Sequence, residues 1–223
     1  MKLSADTLTV LKNFASINPG LEFKQGNQLS TMSPTKTVLA KATVADDFPE
    51  DFCIYDLNQF LSVHSLFKDA DLDFEDANVV FKSGRSKTKY RKTSKTMIVT
   101  VPEKELNLPS IEISFTFGED DFASVMKSAS VLQSPNVSIE SDGEKIYVTC
   151  FNAADDSSHT NLIEVSEGNG SKFKAVFSTD NLKMIPGTYD VQISSKGISL
   201  FKNTSGNLNY WIAIESKYSK FEA

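Results

Sequence analysis

The chain is poor in the residues that carry most enzyme chemistry: two cysteines, two histidines and one tryptophan in 223 residues. Cys53 and Cys150 lie far apart with no CxxC pair. They read as reduced core thiols, which suits a cytosolic protein, and no zinc spacing is present. His64 falls in a helical stretch and His159 in a polar loop, neither at a motif spacing from a serine, cysteine or carboxylate. There is no GxxxxGK[ST] and no GxGxxG, so the usual phosphate cradles are missing. No apolar run approaches a membrane span, and Met1-Lys2 leads straight into a helical pattern. Neither a membrane segment nor a leader is therefore expected. The nearest thing to a metal loop is Asp69-Ala70-Asp71-Leu72-Asp73. The positions where an EF-hand needs glycine and a closing carboxylate hold Phe74 and Val80. An exposed acidic strand edge is the better reading. The expectation is no metal, no cofactor and no catalytic activity.

What is present is a large core. Sixteen phenylalanines and 40% hydrophobic residues exclude disorder, and the length suits one large β domain or two smaller ones. The net charge of −6 argues against a protein that coats nucleic acid with its whole surface, but leaves room for a local basic surface. Acids cluster at Asp46-Asp47, Glu50-Asp51, Asp69 to Asp76, Glu119 to Asp121 and Asp155-Asp156. Bases cluster at Lys82, Arg85, Lys87, Lys89, Arg91, Lys92 and Lys95.

The segment Ser4 to Asn18 predicts a helix. Leu8, Leu11 and Phe14-Ala15 share one face, Ser4 caps the first turn, Asp6 suits the helix dipole and Pro19-Gly20 stops the run. Its other face carries Ala5, Thr9, Lys12, Asn13 and Ser16, which are small and polar with one cation and no acid. A second helix begins at the Asp56 cap and turns Leu57, Phe60, Leu61 and Val63 inward, with Asn58, Gln59 and Ser62 outward. A third puts Phe122, Val125, Met126 and Ala129 inward, with Ser124, Lys127 and Ser128 outward and acid only at its start. A short fourth is predicted over 178–184, stopped by Pro186-Gly187.

Between the helices, alternating stretches predict strands: 21–24 and 28–32 about a Gly-Asn turn, 37–44, 52–55, a meander over 71–91, 111–117, a hairpin over 136–151, and five more to 215. Residues 46–51 read as a loop, and 92–105 as a connector crossing a surface. The order helix–hairpin–strands–helix–strands occurs once in each half, and such a repeat changes the fold reading to two similar domains. The class is α+β, with two similar domains, 1–105 (including the connector, about 92–105) and 106–223, each an antiparallel sheet with two helices on one face.

The residues also resemble a known family. Met1-Lys2-Leu3-Ser4, Asp6-Thr7, Leu11-Lys12-Asn13-Phe14-Ala15, Ile17-Asn18 and Gly20 are similar to the N-terminus of the sliding clamps of T-even-type phages. So are Ile54-Tyr55-Asp56-Leu57-Asn58 with Phe60-Leu61 and Ser65-Leu66, then Arg85-Ser86, Leu132-Gln133, Lys183-Met184 with Pro186-Gly187 and Tyr189, and Asn209-Tyr210. The matches run end to end in order and are thinnest between Asp76 and Phe122.

The resemblance implies a DNA-clamp fold in a homotrimeric ring of six similar domains, with helices lining a hole through which double-stranded DNA passes. It implies a processivity factor that tethers the replicative DNA polymerase without reading sequence, that is loaded by a clamp-loader ATPase and that works in the cytoplasm of the infected bacterial host. A non-ring structural or interaction module of the same fold is the alternative. Helices facing a phosphate backbone should exclude acids and carry few cations, which permits sliding. Lys2, Lys12, Lys127 and Lys183 are the expected DNA-facing residues. Head-to-tail closure needs complementary edges. Arg85, Lys87 and Lys89 on one edge are expected to meet Glu164 and Glu167 of the next subunit; a DNA-binding role for the basic strand is the competing reading. Val99-Thr100-Val101-Pro102-Glu103 resembles the end of the connector in eukaryotic clamps. That places a partner-peptide pocket among Met32, Val99, Val101, Leu106, Trp211 and Ile214, although Trp211 reads equally well as core.

Overall fold

A computed structural model describes residues 1–104 and 106–221. The chain divides into two compact units, Met1–Lys104 and Glu105–Ala223.

The first unit opens with α1 (Ala5–Ile17). Ser4 caps it, its Oγ accepting from Thr7 N at 3.2 Å. Leu11, Phe14 and Ala15 are buried as their spacing requires, and so is Thr7, whose hydroxyl accepts from Ser4 Oγ at 3.0 Å. Next come β1 (Leu21–Phe23), β2 (Gly26–Met32), β3 (Val38–Phe48) and β4 (Phe52–Ile54), which form an antiparallel sheet in the order β4-β1-β2-β3. β3 runs through Asp46-Asp47, where a loop was expected. A register shift lets Phe48 pair with Gly26, whose φ of +105° suits glycine. α2 (Leu57–Ser65) starts at its Asp56 cap, the carboxylate accepting from Gln59 N at 2.9 Å. Leu57 and Phe60 are buried, whereas Leu61 and Val63 are only half-buried. β5 (Asp71–Glu75), β6 (Asn78–Ser83) and β7 (Ser86–Arg91) then form a second, three-stranded sheet in sequential order. Phe23, Phe48, Phe52, Phe60 and Phe81 build the core, with Phe23 stacked on Phe52 at 4.4 Å and Phe60 edge-on to Phe81 at 5.0 Å.

The second unit repeats this plan. β8 (Ile113–Phe117) leads into α3 (Glu119–Val131), which buries Phe122, Val125 and Ala129. β9 (Asn136–Asp142), β10 (Lys145–Phe151), β11 (Asn161–Glu167) and β12 (Lys172–Ser178) stand in the order β11-β10-β9-β12, with β16 (Lys220–Phe221) added beside β12. Read from the other edge, β12-β9-β10-β11 has the same 4-1-2-3 order as β4-β1-β2-β3. β13 (Tyr189–Ser194), β14 (Ile198–Asn203) and β15 (Leu208–Ala213) run sequentially like β5-β6-β7, and β8 pairs with β13. In the first unit the place of β8 is taken by Met1, which exchanges backbone bonds with Leu72 of β5.

Two further expectations need correction. The strands of each unit divide between two sheets rather than one. And 178–184 is not an α-helix: Thr179–Leu182 makes a single 3-10 turn. Lys183 already leaves helical backbone, with ψ at +60°, and Pro186 two residues after Met184 lacks an N–H and disfavours helical backbone at Ile185, so no helix resumes before it. Leu182 and Met184 are buried all the same. No helix among the described residues is long and apolar enough to cross a membrane.

Candidate functional site

The outward faces of the three α-helices share one chemistry. On α1 the exposed positions after the first turn are Thr9, Lys12 and Ser16; on α2 they are Asn58, Gln59, Ser62 and Ser65. On α3 the exposed positions after the first turn are Ala123, Ser124, Lys127, Ser130 and Val131. Carboxylates occur only at the starts of the helices (Asp6, Asp56, and Glu119 to Asp121), where the dipole favours them. Several hydroxyls are turned back onto the helix. Thr9 Oγ1 donates to Ala5 O at 2.9 Å, Ser16 Oγ to Asn13 O at 2.6 Å, and Ser62 Oγ to Asn58 O at 2.8 Å.

The four expected DNA-facing lysines fall into two classes. Lys12 on α1 and Lys127 on α3 are exposed and make no ion pair among the described residues. Lys2 donates to Asp69 at 2.5 Å, and that bond raises its ammonium above the ordinary value. Lys183 pairs with Asp180 at 2.8 Å across the 3-10 turn. Burial, and then the charge of Lys12, hold His64 of α2 below the usual imidazole value. This histidine therefore adds no cation to the surface at neutral pH.

β7 is an edge strand of its sheet, and Lys87 and Lys89 project from it, exposed, with Arg85 in the preceding turn. Both lysines already pair with Glu75 of the same unit, at 3.5 and 2.8 Å. The opposite side of β7 turns inward. Tyr90 packs edge-on against Phe60 at 5.5 Å, and its hydroxyl donates to Asp56 O at 2.9 Å, tying β7 to the start of α2. In the second unit β11 is likewise an edge, with Glu164 and Glu167 exposed. Lys145 of β10 reaches both, at 2.9 and 2.6 Å, and is held protonated by them. Each edge thus carries one sign of charge with a single counterion residue behind it.

Of the expected pocket residues, Met32, Val99 and Val101 belong to the first unit. Met32 ends β2 and is buried. Val99 and Val101 are half-buried in the irregular stretch after a 3-10 turn at Lys95–Met97. Val101, with Pro102 and Glu103, lines a cleft of about 370 Å³ whose other wall includes Lys24, Gln28 and Lys41. Leu106, Trp211 and Ile214 belong to the second unit: Trp211 is half-buried on β15, Leu106 is half-buried, and Ile214 is buried.

Sequence reasoning missed two polar groups that shape these surfaces. Asp46 lies on β3, and its carboxylate accepts from Ser4 N at 2.7 Å. Burial raises its affinity for a proton, but bonds from Thr7 and Ser4 outweigh this and leave it below the usual carboxylate value. Asn18, 3% exposed, bonds the end of α1 to both β2 and the connector stretch. The signal for it was an asparagine directly before Pro-Gly.

Two family models match the chain: the DNA polymerase processivity factor over residues 4–100 and the C-terminal part of the gp45 sliding clamp over residues 114–216. The sliding clamp of Vibrio phage KVP40 is 33% identical over 97% of this chain and 100% of its own length. The chain belongs to the sliding-clamp family. The clamps of Escherichia phage RB69 and Enterobacteria phage T4 are 32% and 31% identical, each over 97% of both chains. Among solved structures, the A. fulgidus PCNA bound to the C-terminal region of FEN-1 superposes with a TM-score of 0.67 at 16% identity, over 93% of this clamp and 94% of that chain. The PCNA of Thermococcus kodakaraensis gives 0.61 at 16% identity over 94% and 98%. These two likenesses show the fold. The protein is a sliding clamp of the T4-like phages, a DNA polymerase processivity factor in phage DNA replication.

Proposed function

We propose that three copies of this clamp close head to tail into a ring around duplex DNA, with α1, α2 and α3 toward the phosphates. The observation that carries this reading is the outward chemistry of those helices: no carboxylate beyond the first turn and, on each of α1 and α3, one lysine with no ion pair among the described residues. A wall of this kind attracts a polyanion weakly and reads no base, so it holds DNA without fixing its position. Lys12 and Lys127 are its principal contacts. Lys2 and Lys183, each neutralised by its own aspartate, contribute less.

The ring closes where the basic edge β7 (Arg85, Lys87, Lys89) meets the acidic edge β11 (Glu164, Glu167) of the next copy. Residues 92–105 act as the connector between an N-terminal domain, 1–105, and a C-terminal domain, 106–223. The connector forms one side of a pocket that takes a short apolar peptide from the polymerase, with Met32, Val99 and Val101 as its first-unit lining. The clamp has no chemistry of its own, is placed on DNA by a clamp-loader ATPase and acts in the cytoplasm of the infected bacterium. A trimeric mass in solution, together with retention on nicked circular DNA and loss from the same DNA once linearised, is the expected result. A monomeric mass, or equal retention on both DNAs, refutes the ring.

A further inference from the structure

The corner where α1 ends holds more of the molecule together than a helix stop requires. Asn18 N donates to Phe14 O at 2.9 Å and closes α1. Its side-chain Nδ2 donates to two carbonyls, Met32 O at 2.9 Å and Val99 O at 3.0 Å, and its Oδ1 accepts from Gly20 N at 3.0 Å. This network also fixes the amide's orientation, since two carbonyls can be met only by the NH₂ group and a backbone N–H only by the oxygen. The next residue, Pro19, offers its carbonyl to Leu57 N, the first residue of α2, at 2.7 Å. Gly20 is set against the connector so closely that a methyl group there would lie 2.6 Å from Ile98 Cγ2 and 2.8 Å from Ile98 Cβ.

Two consecutive connector residues are therefore held by one corner. Ile98 rests on the bare backbone of Gly20, and the Val99 carbonyl takes an amide hydrogen from Asn18. The stretch 98–104 is neither helix nor strand, so fixed points from outside it determine where it runs. The other hydrogen of the same amide goes to Met32, so Val99 and Met32 are held to a single side chain.

We propose that Asn18 and Gly20 are positioning residues of the partner site. They hold the connector against the end of β2 and so preform the groove a partner peptide enters, while touching neither peptide nor DNA. This rests on the reading of the connector as one wall of that site. A groove set in advance binds more tightly than one that must be ordered on binding. Both residues are specified by chemistry rather than by bulk. Aspartate at 18 keeps the acceptor for Gly20 N but has no hydrogen for either carbonyl, and any side chain at 20 displaces Ile98.

The test uses the full-length clamp in four variants: Asn18→Asp, Gly20→Ala, Ile98→Ala and, as a control on the pocket itself, Val101→Asp. Hydrogen–deuterium exchange is followed over 94–104 and over the reference stretch 71–91. Binding of the C-terminal peptide of the cognate polymerase is titrated in parallel, and retention on circular DNA is measured. For the first three variants, exchange in 94–104 should rise about tenfold relative to 71–91, and the peptide should bind about tenfold more weakly. DNA retention should stay within about twofold of the unmodified clamp. Ile98 is only half-buried, so its truncation carries the test if either corner variant fails to fold. Unchanged exchange in the connector of the folded variants overturns the proposal. So does unchanged peptide binding where Val101→Asp abolishes it, which leaves the pocket reading standing. If Val101→Asp also leaves peptide binding unchanged, the pocket reading fails, and the proposal with it.

Discussion

The two units of the clamp share a topology but differ in what covers their sheets. In the first, a nine-residue helix, α2, packs on β7. In the second, a four-residue 3-10 turn occupies the same place in the order and packs on β12 and β15. The strand orders 4-1-2-3 and 12-9-10-11 are unaffected. The antiparallel pairing, not the second helix, defines this fold, and the helix is a cover that can shrink to one turn provided its apolar anchors remain. Phe60 plays that part in α2 and Leu182 in the turn, at 0% and 4% exposure. A tyrosine hydroxyl on the neighbouring strand serves both covers. Tyr90 Oη donates to the start of α2, and Tyr210 Oη accepts from Ile185 N just beyond the turn, at 3.1 Å. The edges differ too, basic on β7 and acidic on β11.

Removing the anchors should separate the two units most strongly. Phe60→Ala should cost about 3–5 kcal/mol, because the ring packs against Phe23, Phe81 and Tyr90 and nothing can collapse into its place. Leu182→Ala should cost about 2 kcal/mol, since a single turn can settle onto its sheet. Urea unfolding followed by fluorescence measures both. Equal losses would mean that the turn is as tightly built as the helix.

The edges come next. Reversing Lys87 and Lys89 to glutamate should weaken assembly roughly tenfold or more through like-charge contact with Glu164 and Glu167, and lysines at those two positions should restore it. Light scattering at low concentration reads the mass, and a melting curve controls for the loss of the internal pairs with Glu75. A trimer that stays intact rules out this edge pairing. Loss of DNA retention from an intact trimer would assign the basic strand to DNA instead.

The smallest effect separates the lysines. Lys12→Ala and Lys127→Ala should each weaken DNA retention and lower its logarithmic salt slope by about one unit. Lys2→Ala and Lys183→Ala should change it by less than half as much. Four equal slopes would show that the aspartate partners let go on DNA.

Most of this architecture is legible in the sequence because it is written in local periods. α1, α2 and α3 declare themselves by 3–4 spacing, capped at Ser4 and Asp56 in the first two, and the hairpins by alternation around Gly26 and Gly143. The internal repeat appears as element order even though few side chains coincide. What was not legible is non-local. The division of strands between two sheets depends on pairings such as β9 with β12, which no local pattern encodes. The shortened fourth helix has a helical pattern of barely two turns, too brief to sustain a helix once Lys183 leaves helical backbone. Of the candidate site, the acid-free helix faces could be read directly. The neutralisation of Lys2 by Asp69 depends on a contact 67 residues away and could not. Asn18 looked like the end of a helix, and only the structure places Met32 and Val99 on its amide.

The hydroxyls folded back onto their own helices have a mechanical consequence. A serine or threonine whose hydrogen already serves a carbonyl one turn behind has no directional donor left for a passing phosphate. Along B-form DNA such phosphates recur about every 3.4 Å on each strand. A wall studded with outward donors would meet that spacing as a washboard, with a well at every step. On the proposed wall the folded-back hydroxyls remove part of that corrugation, leaving the exposed amides of Asn58 and Gln59 and a few mobile lysine charges as the outward donors. Friction between the clamp and DNA is then set by the backbone bonds of Thr9, Ser16 and Ser62 as much as by its cations.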